Sequence, residues 1–333
     1  MSVLPSDVPL SVFDVAPIVD GATARSALAA TVESARAADE LGYHRYWVAE
    51  LHMKAVASAA PAVLTAAIAA GTRRIRVGSG GVMLLNHHPM VVAEQFGTLE
   101  ALHPGRIDLG IGRAPGASHR VAAHLQGPDV TDTTFTERLR ELLDNFARDD
   151  AAAAAAPFQA APAVGNAPEV LLLATGTTSA AAAAELGLPL AFAHHLAPHS
   201  TDQALHVYRD GFRPSAALDR PRVIVSVSVL AADTDDRARR LIRPSQVKYL
   251  ERTKRRRVRY PTPEAAAGYA MTADDERAVA DKYAHVIVGD PGTVRERLAG
   301  LQRDTGADEL MLKTETHDPA DRRRSYELVM TGA

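Results

Sequence analysis

Short apolar runs alternate with longer stretches of helical periodicity along almost the whole chain. Nine apolar runs predict strands, at residues 10–13, 43–49, 75–84, 107–111, 170–174, 190–193, 223–230, 285–288 and 309–312. Between them, apolar residues spaced by three and four predict helices, most clearly at residues 23–41, 61–70, 89–102, 135–146, 178–186 and 201–212. Parallel strands need long crossover connections, so this alternation predicts an α/β fold with a parallel sheet. We expect a closed (β/α)8 TIM barrel, in which one of the nine predicted strands is either an extra strand or not a strand. An open doubly wound sheet is the alternative.

Two segments depart from the alternation, and we expect both to be insertions in a single domain that spans residues 1–333. Residues 147–168 contain six consecutive alanines and three prolines, which predicts a variable surface excursion. Residues 243–283 hold a basic run at 254–259, followed by two prolines, and predict a lid over the C-terminal face of the barrel. No aromatic residue interleaves with the basic run, so a solvated face is favoured over a phosphate or nucleic-acid site.

Composition excludes several kinds of chemistry. The chain contains no cysteine, which rules out disulfides, iron–sulfur clusters, zinc–thiolate sites and a thiolate nucleophile. Its net charge of −3 gives no global attraction to nucleic acid or to an anionic membrane. The N-terminal residues lack the basic start and apolar stretch of a signal peptide, and no apolar run has membrane-spanning length. We therefore expect a soluble, cytoplasmic protein that binds neither nucleic acid nor membrane.

The active site of a parallel barrel lies at the carboxyl ends of its strands, and this rule selects the candidate residues. It selects Asp14, residues 50–52, 78–86, 112–113 and 175–179, and the pair His194 and His195. Arg113 follows a strand among glycines, where a guanidinium group can bind phosphate oxygens, although an ion pair with a neighbouring carboxylate is an equal alternative. Residues 175–179 open a helix and also suit a phosphate. The alternative there is ordinary helix capping by Thr177 or Thr178.

Three other kinds of site are not supported. The glycines at 78, 80 and 81 do not match GxGxxG and do not precede a helix, so they favour close approach to a flat ligand or an unusual peptide geometry. The thirteen histidines show no spacing typical of a zinc site, and we expect no metal. No GxSxG nucleophile motif is present.

Seven short segments form a distinctive series along the chain: 46–52 (YWVAELH), 77–89 (VGSGGVMLLNHHP), 94–100 (EQFGTLE), 105–116 (GRIDLGIGRAPG), 187–189 (GLP), 233–235 (DTD) and 288–294 (VGDPGTV). In their order and spacing they resemble the bacterial luciferase-like flavin monooxygenases across nearly the whole chain. The resemblance implies a (β/α)8 barrel that receives FMNH2 from a separate flavin reductase. It also implies that O2 reacts to give a flavin C4a-hydroperoxide, which inserts one oxygen atom into a small hydrophobic organic substrate.

The resemblance also assigns individual residues. Arg113 matches the family's phosphate-binding arginine, and Thr175, Gly176 and Ser179 fall at phosphate-contacting positions, the first two of which are typically Glu and Ser. Gly80 and Gly81 fall where the family has a non-prolyl cis peptide beside the flavin ring.

One departure concerns the Glu-His-His sequence that the family often has after the second strand. This chain reads Glu50, Leu51, His52, and leucine cannot transfer a proton. Any role of the missing histidine is therefore absent or moved, and we expect His52 or His88 to be the catalytic residue.

Two other functions stay open, an F420-dependent hydride transfer on the same barrel and a flavin-binding protein without turnover. Family members pair through helices near Pro61 and Pro89, with Glu94 at the interface, so we expect a homodimer.

Overall fold

The computed structural model describes residues 8–126, 132–147, 149–156, 158–254 and 259–332. Within these residues the strands are β1 (Leu10–Asp14), β2 (Arg45–Val48), β3 (Arg76–Met83), β4 (Ile107–Gly112), β5 (Glu169–Ala174), β6 (Leu190–Phe192), β7 (Val223–Ala231), β8 (Ile287–Gly289) and β9 (Glu309–Lys313). The helices are α1 (Ala24–Leu41), α2 (Pro61–Gly71), α3 (Pro89–Leu102), α4 (His119–Gln126), α5 (Asp132–Ala147), α6 (Asp150–Ala155), α7 (Thr177–Glu185), α8 (Thr201–Asp210), α9 (Asp235–Thr253), α10 (Pro263–Ala267), α11 (Ala273–Tyr283), α12 (Pro291–Thr305) and α13 (Pro319–Thr331).

Eight of these strands close into a parallel barrel. The order is β1 to β7 and then β9, which returns to β1, and the pairing of β6 with β7 completes the ring. β8 pairs with Val229–Ala231 at the carboxyl end of β7, so the ninth predicted strand is an extra strand outside the barrel. The (β/α)8 barrel is therefore confirmed, and the open doubly wound sheet is wrong.

Alternation along the strands fills the barrel with three layers of side chains. On β9, for example, Glu309, Met311 and Lys313 face inward from the amino end to the carboxyl end. At the amino end, Arg45 is 3% exposed and contacts three carboxylates, those of Asp108, Glu169 and Glu309. The middle layer is apolar and includes Phe13, Trp47, Leu171, Ala191, Ile224 and Met311. A second apolar cluster lies between the outer faces of the strands and the surrounding helices.

The two predicted insertions differ in how they attach. The 147–168 excursion contains α6 and a 3-10 turn at Ala161–Ala163, exposes Phe158 and buries Ala160 and Ala163, with Ala163 packed against Gly97 of α3. The 243–283 segment comprises most of α9 together with α10 and α11, and it connects β7 to β8 on the side of the barrel where β7 ends. Four residues of the predicted basic run, 255–258, lie outside the described residues. No helix in the described ranges is long and apolar enough to cross a membrane.

Candidate active site at the barrel mouth

A buried carboxylate organises the loops after β2 and β3. Glu50 is fully buried, and its oxygens accept hydrogen bonds from the backbone N–H of Met83 (2.9 Å) and the side-chain amide of Asn86 (3.0 Å). The Nε2 atoms of His52 and His87 both lie 2.9 Å from a Glu50 oxygen. One carboxylate therefore joins two histidines and an asparagine at the barrel mouth.

The environment of Glu50 keeps this carboxylate ionised. Burial alone would raise the pKa of Glu50, but the hydrogen bonds from His87, Asn86 and His52 outweigh it and lower the pKa below 4.5. A permanently charged acceptor fixes the orientation of both imidazole rings, because each ring must present a ring nitrogen to it.

The loop after β4 is held against this cluster. The backbone N–H of His52 donates to the Gly116 carbonyl (2.8 Å), and Asn86 donates to the Pro115 carbonyl (3.1 Å). Gly116 has a φ of +60°, and a methyl group there would collide with the Glu50 carbonyl oxygen. Glycine is therefore required where the Arg113 loop meets the Glu50 loop.

Leu51 points in a different direction from its two neighbours. Its side chain packs against the apolar cluster inside the barrel, the cluster that contains Phe13 and Trp47. The position where the family often has its first histidine therefore faces the interior, whereas His52 bonds Glu50. His52 does not occupy the place that a histidine at 51 would take.

The structure separates the two predicted catalytic histidines. His88 precedes α3, its Nδ1 accepts a hydrogen bond from the backbone N–H of Met90 (3.3 Å), and its side chain is 66% exposed. Its neighbour His87 is the residue that reaches Glu50. Asn86 lies within the selected range 78–86, but sequence reasoning missed His87, since this residue follows a 3-10 turn at Leu84–Asn86 whose direction no periodicity reveals. The adjacent histidines of the NHHP sequence were the signal that could have pointed to His87.

Close backbone contact shapes the floor of the mouth between β3 and β4. The Gly80–Gly81 peptide is cis, the geometry expected for this position. A methyl group on Gly81 would lie 2.5 Å from the Gly110 carbonyl oxygen, so a side chain there would force the strands apart. Gly80 lies against the rings of Phe13 and Trp47. The result is a surface without side chains above an aromatic layer.

The predicted phosphate residues leave adjacent strands at one edge of the mouth. Ile111 pairs with Leu172, so Arg113 and Thr175 follow neighbouring strands at nearly the same level. The N-cap of α7 is Gly176, which makes no side-chain cap hydrogen bond, and Thr177 is already the first helical residue. Capping by Thr177 or Thr178 is therefore wrong as an account of this segment. The uncapped N-terminus of α7, with Ser179 in its first turn, presents N–H groups suited to an anion.

Two of the remaining strand-end candidates have partners that explain them structurally. Asp14 is buried and bonds Thr31, Tyr46 and Arg322, which ties β1 to α1 and α13. His194 lies 2.8 Å from the Thr201 hydroxyl. Its ring and the rings of His199 and His285 make edge contacts, and no group of metal-ligating side chains occurs in the part of the chain that is described.

The sequence model of the luciferase-like monooxygenases matches residues 8–309 of this chain. The protein belongs to this family. A luciferase-like monooxygenase of Escherichia coli K12 is 41% identical over 96% of the chain and 95% of its own length. The N-acetyl-S-alkylcysteine monooxygenase of Bacillus subtilis is 33% identical over 96% of both proteins. The crystal structure of apo-MsnO8 covers 97% of both chains at 38% identity with a TM-score of 0.90.

More distant solved structures share the fold alone. The oxygenating constituent of a 3,6-diketocamphane monooxygenase of Pseudomonas putida, solved with FMN, has a TM-score of 0.70 at 20% identity over 98% of this chain and 97% of its own. An F420-dependent secondary alcohol dehydrogenase has a TM-score of 0.67 at 14% identity over 97% of this chain and 98% of its own. The barrel by itself therefore does not distinguish these two flavin-type cofactors.

Proposed function

We propose that this protein is a two-component monooxygenase that uses FMNH2 from a separate reductase to insert one oxygen atom of O2 into an organic substrate. The observation that carries the proposal is the juxtaposition of Arg113 and the N-terminus of α7, which has no side-chain cap. They follow neighbouring strands beside the glycines of β3 and β4. A phosphate and a flat ring are the two parts of FMN that these features suit. The similarity to monooxygenases at 33–41% identity favours oxygenation over F420-dependent hydride transfer.

In this proposal, Arg113, Thr175, Gly176 and Ser179 hold the phosphate, and Gly80 and Gly81 lie against the ring. When bound, reduced FMN supplies the electrons that activate dioxygen. The chain contributes orientation and dryness, since Phe13, Trp47, Leu51 and Leu173 make the barrel interior below the ring apolar. His52 is held by Glu50 at the rim of the mouth and is the histidine we propose for proton transfer, whereas nothing in the contacts of His88 directs it there.

Replacing Arg113 with alanine tests the phosphate site. A guanidinium group on a phosphate makes charge-assisted hydrogen bonds, so we expect the dissociation constant for reduced FMN to rise about 10- to 100-fold. Anaerobic fluorescence titration measures it, and Arg297→Ala, on the exposed surface of α12, is the charge-matched control. Equal affinities for the wild type and Arg113→Ala would remove the phosphate assignment. Titration with reduced F420 in parallel decides between the two cofactors.

We also propose a homodimer, which rests on exposed apolar side chains of α2 and α3. Val63 is 71% exposed and Val91 is 46% exposed. A shallow apolar groove of about 320 Å³, lined by Leu28, Val32 and Val63, adjoins α2. Exposed apolar surface of this kind is typical of an interface between protein chains.

Charged substitutions in this surface are expected to separate the dimer. Size-exclusion chromatography with light scattering should give the wild type twice the chain mass of 35.4 kDa. The double variant Val63→Asp/Val91→Asp should have the mass of one chain, because an aspartate buried in an interface is strongly disfavoured. Phe158→Asp, at a side chain that is 75% exposed outside α2 and α3, should remain dimeric. A monomeric wild type would contradict the proposal.

A further inference from the structure

A cluster of two lysines and one glutamate lies at the carboxyl end of β9, where the barrel meets the 243–283 segment. The ammonium group of Lys313 lies 2.7 Å from Oε1 of Glu315, and that of Lys248 on α9 lies 3.8 Å from Oε2. Lys248 also stands over the ring of Tyr260, with 5.3 Å from Nζ to the ring centroid. The three charged side chains are only 17–28% exposed.

The cluster faces the interior of the mouth. Lys313 follows Glu309 and Met311 on the inward side of β9, so its side chain belongs to the uppermost interior layer. His195 lies next to the middle layer, since its ring centroid is 5.7 Å from that of Phe13, the residue against which Gly80 packs. The lysine–glutamate cluster and the Gly80–Gly81 surface proposed to contact the flavin therefore border the same middle layer of the barrel.

The charges of the cluster do not balance. Two ammonium groups share one carboxylate. Burial, followed by the positive charge of Lys313, lowers the pKa of His195 to about 3. His195 is therefore neutral and adds no charge. The pKa of Glu315 is about 2, because the two lysines outweigh the effect of burial, so the cluster carries one net positive charge near neutral pH.

Hydrogen-bonding capacity is left over as well. An ammonium group has three donors, and Lys313 uses one of them on Glu315. Lys248 makes no hydrogen bond to the described part of the chain, since its distance of 3.8 Å from Glu315 is too long for one. Partly buried ammonium groups with unused donors are costly unless a ligand or water completes them.

Lysine is scarce in this chain, which makes the pairing informative. The sequence has five lysines against thirty-two arginines, and two of the five meet at this one point. An ammonium group is a compact point charge with rotatable donors, which suits a ligand oxygen that must be reached from two sides.

We infer that Lys313 and Lys248 form a carboxylate-binding subsite, so that the substrate of the proposed monooxygenase is a small organic anion with an apolar part directed at the flavin. The inference rests on the proposed function for its reaction, but the subsite itself is a property of the chain. His195 adds specificity. Its Nδ1 lies 2.8 Å from the Ser226 hydroxyl, whose proton is donated to the Phe192 carbonyl, so Nδ1 is the protonated nitrogen and Nε2 is left as an acceptor for a substrate N–H or O–H.

Binding of matched acids and amides tests the subsite without flavin. The probes are octanoate, 3-phenylpropanoate and N-acetylmethionine, each compared with its primary amide by calorimetry on the full-length protein. We expect at least one acid to bind about tenfold more tightly than its amide, because hydrogen bonds to charged groups are worth more than neutral ones. The preference should fall below about twofold in the Lys248→Met/Lys313→Met variant and persist in Lys282→Met, which removes an exposed lysine of the same segment.

Replacing the glutamate gives an effect of opposite sign. Glu315→Gln leaves both lysines without their carboxylate, so acids should bind more tightly than to the wild type. A cluster that only anchors the 243–283 segment would not strengthen ligand binding in this variant. The Lys313→Met/Glu315→Gln variant removes one positive and one negative charge. It replaces the Lys248→Met/Lys313→Met variant in this test if that variant does not fold.

The outcomes separate this inference from the proposed function. No acid preference in the wild type, or a preference unchanged in the lysine variants, overturns the subsite even if reduced FMN binds. Acid preference that depends on Lys313 supports the subsite, and absence of reduced-FMN binding in the same protein then counts against the proposed function alone.

Discussion

Replacing Arg45 with methionine is expected to lower the free energy of unfolding by about 3–5 kcal/mol, which is the cost of leaving buried charges without a partner. The guanidinium group lies 2.7 Å from Glu169, 2.9 Å from Asp108 and 3.0 Å from Glu309. Burial disfavours the charge, but Asp108 and Glu309 outweigh it and raise the pKa of Arg45. Without Arg45, three carboxylates crowd the amino end of the barrel.

Chemical denaturation at neutral pH measures this loss, with the urea dependence used to check that the transition stays two-state. Arg36→Met is the control, because Arg36 pairs with Glu33 on the surface with about half of each side chain exposed, and such pairs contribute less than about 1 kcal/mol. Arg76 also contacts Asp108, and Arg222 contacts Glu169. Similar stabilities for Arg45→Met and Arg36→Met would show that these two arginines compensate the buried carboxylates.

Replacing Glu50 with glutamine is expected to lower stability by about 2–3 kcal/mol at neutral pH and to weaken binding of reduced FMN at the same time. Glutamine keeps the size of the side chain but loses the charge, and its NH2 group cannot accept the hydrogen bonds that a carboxylate accepts from Met83, Asn86, His52 and His87. The loops after β2 and β4 meet at Glu50, so the site should loosen with the fold.

The stability that Glu50 contributes depends on pH. The pKa of Glu50 is lower in the folded state than its ordinary value of 4.5, so its stabilisation is present above pH 4.5 and is lost as the pH falls through the folded pKa. The stability difference between the wild type and Glu50→Gln should therefore shrink below about pH 4.5. A difference that is constant from pH 7 to pH 3 would contradict the assignment of an ionised carboxylate.

Histidine assignment shows where sequence reasoning stopped. The spacing of strands placed residues 50–52 and 112–113 at one face of the barrel, and the structure joins their loops through His52 and Gly116. The sequence pattern did not distinguish His87 from His88. A short turn precedes them and decides which of the two rings reaches Glu50. It also did not pair Lys248 with Lys313, since sixty-four residues separate them along the chain.

What the sequence determined by itself is a parallel α/β fold, because alternation of apolar strands with amphipathic helices is a local property that each segment carries independently. The open sheet was excluded only by the pairing of β6 with β7 and of β9 with β1, contacts between distant segments. Tertiary structure likewise decided that Leu51 faces the interior and that one carboxylate serves two histidines. Strand order and side-chain direction fix such contacts in space, and periodicity along the chain does not carry that information.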